Sequence, residues 1–181
     1  MKKAKIIVIL VALLLILSLA YLMYNDLKND YMEILAGDEN IKIENAEFTV
    51  LGENGKEVKF SEFYGKPSVI NIWATWCPYC VEEFPAFQEM YDKYKDKVNF
   101  LMVNATDGQN ETVEKAKSFI KERGYTFPVY YDIYFEASRT FTATHLPTTF
   151  FIDSKGNSVT YARGKLDGEV LEKVIKLILE K

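Results

Sequence analysis

Residues 69–85, Val69-Ile-Asn-Ile-Trp-Ala-Thr-Trp-Cys-Pro-Tyr-Cys-Val-Glu-Glu-Phe-Pro85, decide the fold. Val69 to Trp73 is a short, β-branched apolar run of the kind that makes a buried strand. The segment after it has helical spacing, with Phe84, Phe87, Tyr91 and Tyr94 on one face. A helix that starts at Cys77 or Pro78 puts Pro78 in its first turn, where a missing N–H costs nothing. Cys77 then lies at the positive end of the helix dipole beside unpaired N–H groups. That setting favours thiolate over thiol and makes Cys77 a nucleophile. Cys80, one helical turn deeper, can attack a mixed disulfide formed at Cys77.

Other uses of the pair fit less well. A CxxC can be half of a zinc site, but a closed site needs two more soft or imidazole ligands. The chain has two cysteines and one histidine, His145, so it cannot complete one from within. A structural disulfide across two intervening residues closes a small loop and stabilises little. Copper held by the two sulfurs in a tethered carrier or chaperone remains as an alternative of a different class.

The length predicts one domain, with room for a tail. Aromatic residues at 14% and charged residues at 27% are ordinary for a globular chain, so a sizeable core can be buried. A net charge of −4 and a pI near 5.2 leave no basic footprint and argue against nucleic acid as a partner.

From the N-terminus, Lys2, Lys3 and Lys5 precede Ile6–Tyr24, a run without charge. A positive flank before an apolar core marks an exported segment with its lysines left in the cytoplasm. The run is about as long as a membrane-spanning helix, which needs roughly 20 apolar residues. Ser18-Leu19-Ala20 offers a small-x-small cleavage signal, but the apolar run continues through Tyr21 to Tyr24, so residues 1–24 are expected to stay as an anchor. Residues 25–45 read as a polar stalk and residues 46–181 as the folded domain, placed outside the cytoplasm.

Within that domain, Ala46–Leu51 and Lys56–Phe60 flank Gly52-Glu-Asn-Gly55, a hairpin signal. Asn99–Ala105 reads as a second buried strand, and Glu111–Arg123 as an amphipathic helix stopped by Gly124. Phe127–Tyr131 reads as a short strand and Tyr134–Phe141 as a short helix. Thr148–Ile152 and Ser158–Arg163 form a second hairpin, and Asp167–Lys181 a closing helix. Alternating strands and helices followed by a hairpin and a helix predict an α/β, three-layer sandwich around a mixed sheet.

Trp-Ala-Thr-Trp-Cys-x-x-Cys-x-x-Glu-Phe-Pro from Trp73, together with Leu146-Pro-Thr-Thr-Phe-Phe-Ile-Asp153, closely resembles the TlpA/ResA-like, membrane-anchored branch of the thioredoxin superfamily. The resemblance covers roughly residues 46 to 181 and implies a thioredoxin-like fold with an added N-terminal β-hairpin. It implies a thiol-disulfide oxidoreductase with Cys77 attacking and Cys80 resolving, and no cofactor beyond that redox-active pair. Exported proteins with disulfides, such as apocytochrome c or a developmental envelope protein, would be substrates. A membrane electron carrier would re-reduce the pair.

Glu83 lies three residues beyond Cys80, within helical reach. In an apolar setting its pKa would rise and let it take the Cys80 proton. On residue grounds alone, Glu82 and Glu83 read equally as solvated helix-face charges. The resemblance singles out Glu83 as the residue that tunes the cysteines. It also makes Pro147 the cis-proline that faces the CxxC and presents Leu146 backbone to a partner peptide. Trp76 is expected to cover the active-site surface with Pro78 and Tyr79, and Trp73 to be core. Asn71 must find hydrogen bonds inside its strand, with no role assigned. His145 reads as a surface loop residue; the alternative is contact with the active site, where its titration would add pH dependence. Pro78-Tyr79 is a pair typical of glutaredoxins, whereas TlpA/ResA-like proteins often carry Glu-Pro or Pro-Pro. The intervening pair alters the Cys77 pKa and the potential, so an oxidase that introduces disulfides stands beside the reductase. Peroxiredoxin-type surroundings are absent.

Overall fold

The computed structural model describes residue 5, residues 10–24 and residues 43–181. The chain divides into two units, Met1–Ala36 and Gly37–Lys181. In the first, residues 10–24 are helical, with leucine, isoleucine and tyrosine side chains exposed along their length. Among the described residues, no helix is long and apolar enough to cross a membrane. Lys2, Lys3, residues 6–9 and all of the expected stalk up to residue 42 lie outside the described residues.

The second unit is built on β3 (Ser68–Trp73), all six residues of which are buried. The β-branched and aromatic residues of this run suit a strand packed on both faces. It pairs in parallel with β4 (Asn99–Asn104) and antiparallel with β6 (Thr148–Ile152). Including β1 (Thr49–Leu51), β2 (Glu57–Lys59), β5 (Val129–Tyr131) and β7 (Ser158–Arg163), the sheet has the order β2-β1-β5-β4-β3-β6-β7. Parallel and antiparallel pairs mix, as the element order predicts. The predicted N-terminal hairpin is present, with Val50 opposite Val58. It joins the sheet through one register pair, Leu51 opposite Tyr131.

The side-chain period of two divides the central strands between two cores. Ile70, Ile72, Leu101, Val103, Phe150 and Ile152 pack on one face with Phe48, Phe60 and Phe141. Phe141 follows the short helix α3 (Glu136–Thr140), which supplies Ala137 to this core. A chain of rings runs through it: Phe60 to Phe48 at 4.9 Å, Phe48 to Phe141 at 5.5 Å, and Phe141 to Phe150 at 4.5 Å between centroids. Helices α1 (Pro78–Tyr94), α2 (Val113–Arg123) and α4 (Gly168–Leu179) serve the other layer. There Trp73 meets Phe84 of α1 at 4.9 Å and Phe119 of α2 at 6.1 Å. Trp73 is core, as its place in the strand predicts.

The expected helix from Glu111 begins two residues later. Thr112 is its N-cap, the hydroxyl accepting from Lys115 N–H, and Gly124 in the left-handed conformation ends it. The unit also takes in residues before Ala46, since Ile43 N–H donates to Ser158 Oγ and Ile43 C=O accepts from Ser158 N–H.

Candidate active site

The redox turn leaves the sheet at the carboxyl ends of the parallel strands. Cys77 N–H closes a turn onto Ala74 C=O at 3.2 Å, and Pro78 opens α1 as its first residue. Cys77 is the N-cap: its sulfur accepts from Cys80 N–H at 3.2 Å, using one of the donors that a helix start leaves free. The two cysteines are joined in a disulfide with Cα atoms 5.3 Å apart. Cys77 keeps 4% exposure, whereas Cys80 is fully buried. A sulfur at the rim, stabilised by the helix N-terminus, suits attack; a buried one suits resolution. Trp76 and Tyr79, 58% and 61% exposed, flank the pair on the surface, with Pro78 exposed between the cysteines.

The Leu146–Pro147 peptide bond is cis. Register places it, because β6 pairs Thr148 with Ile72, so the bond before Thr148 lies at the sheet end where the Cys77 turn emerges. Pro147 C=O accepts from Gly164 N–H at 2.9 Å, which ties it to the strand end of β7. His145 is exposed, its ring nitrogen 2.9 Å from Thr144 Oγ1.

Glu83 is 1% exposed, so it is not a solvated face charge. One carboxyl oxygen accepts from Asn71 Nδ2 at 2.7 Å, and the other from Leu166 N–H at 2.9 Å. Its hydrogen bonds therefore run to Asn71 and Leu166 rather than to a cysteine sulfur. Burial pushes its pKa up to about 7, against the pull of those two hydrogen bonds and of Lys165. Glu82 is exposed and ion-paired with Lys165 at 3.0 Å. The two adjacent glutamates thus part ways. Asn71 finds its partners in Glu83 and in Thr149 Oγ1 at 3.0 Å.

Sequence reasoning missed Glu111, which it read only as a helix start. Glu111 is fully buried. One oxygen accepts from Thr75 N–H at 2.8 Å and from Asn104 Nδ2 at 2.6 Å; the other accepts from Thr75 Oγ1 at 2.6 Å. Lys115 Nζ stands 3.6 Å away. Glu111 therefore clamps the first residue of the turn that delivers Trp76 and Cys77. A weak sequence signal existed: Asn104 at the end of a buried strand needs a partner, and the nearest charged candidates follow it.

The AhpC/TSA family model matches residues 42–161. A Bacillus cereus protein named thiol-disulfide oxidoreductase ResA is 34% identical over 82% of this chain and 85% of its own length. A protein of the same name from Geobacillus kaustophilus is 30% identical over 98% of this chain and 99% of its own. The crystal structure of StoA from Bacillus subtilis, 26% identical, superposes with a TM-score of 0.64 over 72% of this chain and 97% of that one. The chain belongs to the AhpC/TSA family, with a thioredoxin-like fold, and is a thiol-disulfide oxidoreductase of the ResA and StoA type that carries a Cys77–Cys80 pair.

Proposed function

We propose that this enzyme is a membrane-tethered reductase that opens disulfides in exported proteins outside the cytoplasm. The observation that carries the resolving step of this reading is Glu83, buried one turn behind Cys80 with its pKa near 7. In the reductive direction the Cys77 thiolate attacks a substrate disulfide; one substrate sulfur bonds to Cys77 and the other leaves as a thiolate. Cys80 must then lose its proton inside the protein, where burial opposes thiolate. Glu83 is the proton acceptor for that step. The Cys80 thiolate attacks the Cys77 sulfur, the bond from Cys77 to the substrate breaks, and the substrate leaves with two more electrons than it brought. The product is the Cys77–Cys80 disulfide, which an external dithiol carried by a membrane protein must reduce again.

Trp76, Pro78 and Tyr79 form the rim against which a substrate segment lies, and Leu146 next to cis-Pro147 offers its backbone to that segment as an added strand. Haem-site cysteines of an apocytochrome c suit this chemistry, since they must be reduced before use. The tether is residues 6–24, with 25–45 as the linker and 46–181 as the catalytic domain. Support for the tether comes from the uncharged run itself and from the exposed apolar side chains of helical residues 10–24.

The test is the reduction potential of the full chain, equilibrated with a dithiol/disulfide buffer. A value near roughly −270 mV or lower is expected of a reductase. A value near roughly −120 mV would make the enzyme a disulfide-forming oxidase instead. For the tether, fractionation should leave the full chain with the membrane after an alkaline wash; release into the supernatant would remove that part of the proposal.

A further inference from the structure

Asn71 is an amide within the apolar run Val69–Trp73 of β3, opposite Met102 of β4 and Thr149 of β6. Its nitrogen is fully used, donating to Glu83 Oε1 at 2.7 Å and to Thr149 Oγ1 at 3.0 Å. Its oxygen is buried and has no hydrogen-bond partner among the described residues. A buried acceptor without a donor calls for an explanation, because native interiors pair nearly all such groups.

The pattern around Glu83 supplies one. Both carboxyl oxygens face N–H donors, Asn71 Nδ2 on one side and Leu166 N–H on the other. That arrangement fits the ionised carboxylate, which only accepts. Once Glu83 takes up a proton it also needs an acceptor. Leu166 offers a backbone N–H, fixed in direction. The Asn71 amide can turn, and turning it exchanges Nδ2 for the unpartnered Oδ1. Thr149 tolerates either orientation, since a hydroxyl accepts from Nδ2 in one and donates to Oδ1 in the other.

We propose that Asn71 is a two-state positioning residue, presenting Nδ2 to Glu83 when the carboxylate is ionised and, after a half turn of its amide, Oδ1 when the acid is protonated. The proposal rests on the reading of Glu83 as the acceptor of the Cys80 proton. It explains how a carboxyl group can gain and lose that proton deep in the fold without being left facing only donors. The proton passes from Cys80 to Glu83; Asn71 itself gains and loses none. Of the groups that act on Glu83, β3 brings the neutral Asn71, itself held by Thr149 of β6, and the segment before α4 brings the Leu166 N–H. The segment before α4 brings Lys165, whose attraction favours the ionised form and whose ammonium is paired with Glu82.

The test is an NMR titration of the full oxidised chain, with Glu carboxyl carbons and Asn side-chain amides labelled. The Asn71 amide is expected to titrate with the Glu83 midpoint, near 7, and its NH2 protons to turn away from Glu83 on the acid side. An amide that keeps Nδ2 toward Glu83 on both sides of that midpoint overturns the proposal. Asn71→Leu should raise the Glu83 midpoint by about one unit, tenfold in proton affinity, and carry the pH profile of thiol exchange with it. In a Glu83→Gln background the same change should leave that profile where it is; a profile that still moves overturns the proposal. If Glu83→Gln alone leaves the exchange profile unaltered, the proton-acceptor reading of Glu83 falls, and the carboxyl titration decides the Asn71–Glu83 coupling on its own. Should Asn71→Leu not fold, the wild-type titration decides.

Discussion

Glu83 and Glu111 are both buried, one tied to β3 and the segment before α4 and the other to the redox turn, yet the fold uses them in opposite ways. Glu111 takes three donors, two of them from Thr75, and holds Lys115 within 3.6 Å. Glu83 takes two donors, and burial wins over them, so its pKa rises to about 7. Glu111, with the Thr75 N–H and hydroxyl among its donors, works as an anchor of the turn. Glu83, with two donors that burial outweighs, becomes a group that can hold a proton at neutral pH. The teaching is that burial alone does not assign a role to an acid; the count and kind of its donors do.

The largest expected effect comes from breaking the anchor. Glu111→Ala leaves Thr75 N–H, Thr75 Oγ1 and Asn104 Nδ2 without their acceptor. Each buried orphan costs about 1–3 kcal/mol, so urea unfolding should show a loss of roughly 4 kcal/mol. A loss below about 1 kcal/mol would mean that water or a neighbour replaces the carboxylate and that the anchor is idle.

Next comes the proton-holding group. A carboxyl whose folded pKa lies above its unfolded value holds its proton more tightly when folded. Its contribution to stability is therefore fully present below the unfolded value of about 4.5 and is lost as pH rises through about 7. The wild-type chain should lose up to about 3 kcal/mol across that window relative to Glu83→Gln, whose side chain does not titrate. In the same variant the resolving step should slow by about 100-fold, the lower range for a lost general base. Parallel stability curves for the two proteins would remove Glu83 from the proton ledger.

The smallest effect sharpens the anchor. Thr75→Val removes one hydroxyl donor and keeps the backbone N–H, so the expected loss is about 1 kcal/mol. A loss equal to that of Glu111→Ala would show that the hydroxyl, not the N–H, carries the clamp.

Much of this was legible in the sequence because it is local. β3 announces itself as a buried run, Pro78 sets the helix start, and the 2.0 and 3.6 periods mark the remaining elements. Glu83 stood out only through its match to the family's Glu-Phe-Pro, since two adjacent glutamates on a helix look alike until packing separates them. Glu111 did not stand out at all, because its partners Thr75 and Asn104 come from two other strand ends that meet only in the folded sheet. The place of the N-terminal hairpin beside β5 was equally hidden: it hangs on Leu51 meeting Tyr131, a pairing between distant residues that no local pattern encodes. Asn71 illustrates the middle case. Its need for hydrogen bonds was readable from an amide in an apolar strand, whereas which partners meet it was not.

The contrast between the two tryptophans has an optical consequence. The chain has two, Trp73 sealed among Phe84 and Phe119, and Trp76 standing in solvent one residue before Cys77. Emission from Trp76, one residue from a sulfur that changes state, should respond when the pair is reduced, while the blue-shifted emission of buried Trp73 should move to the red when the domain melts. One spectrum of the untouched protein then carries two separate clocks, one for electrons and one for folding.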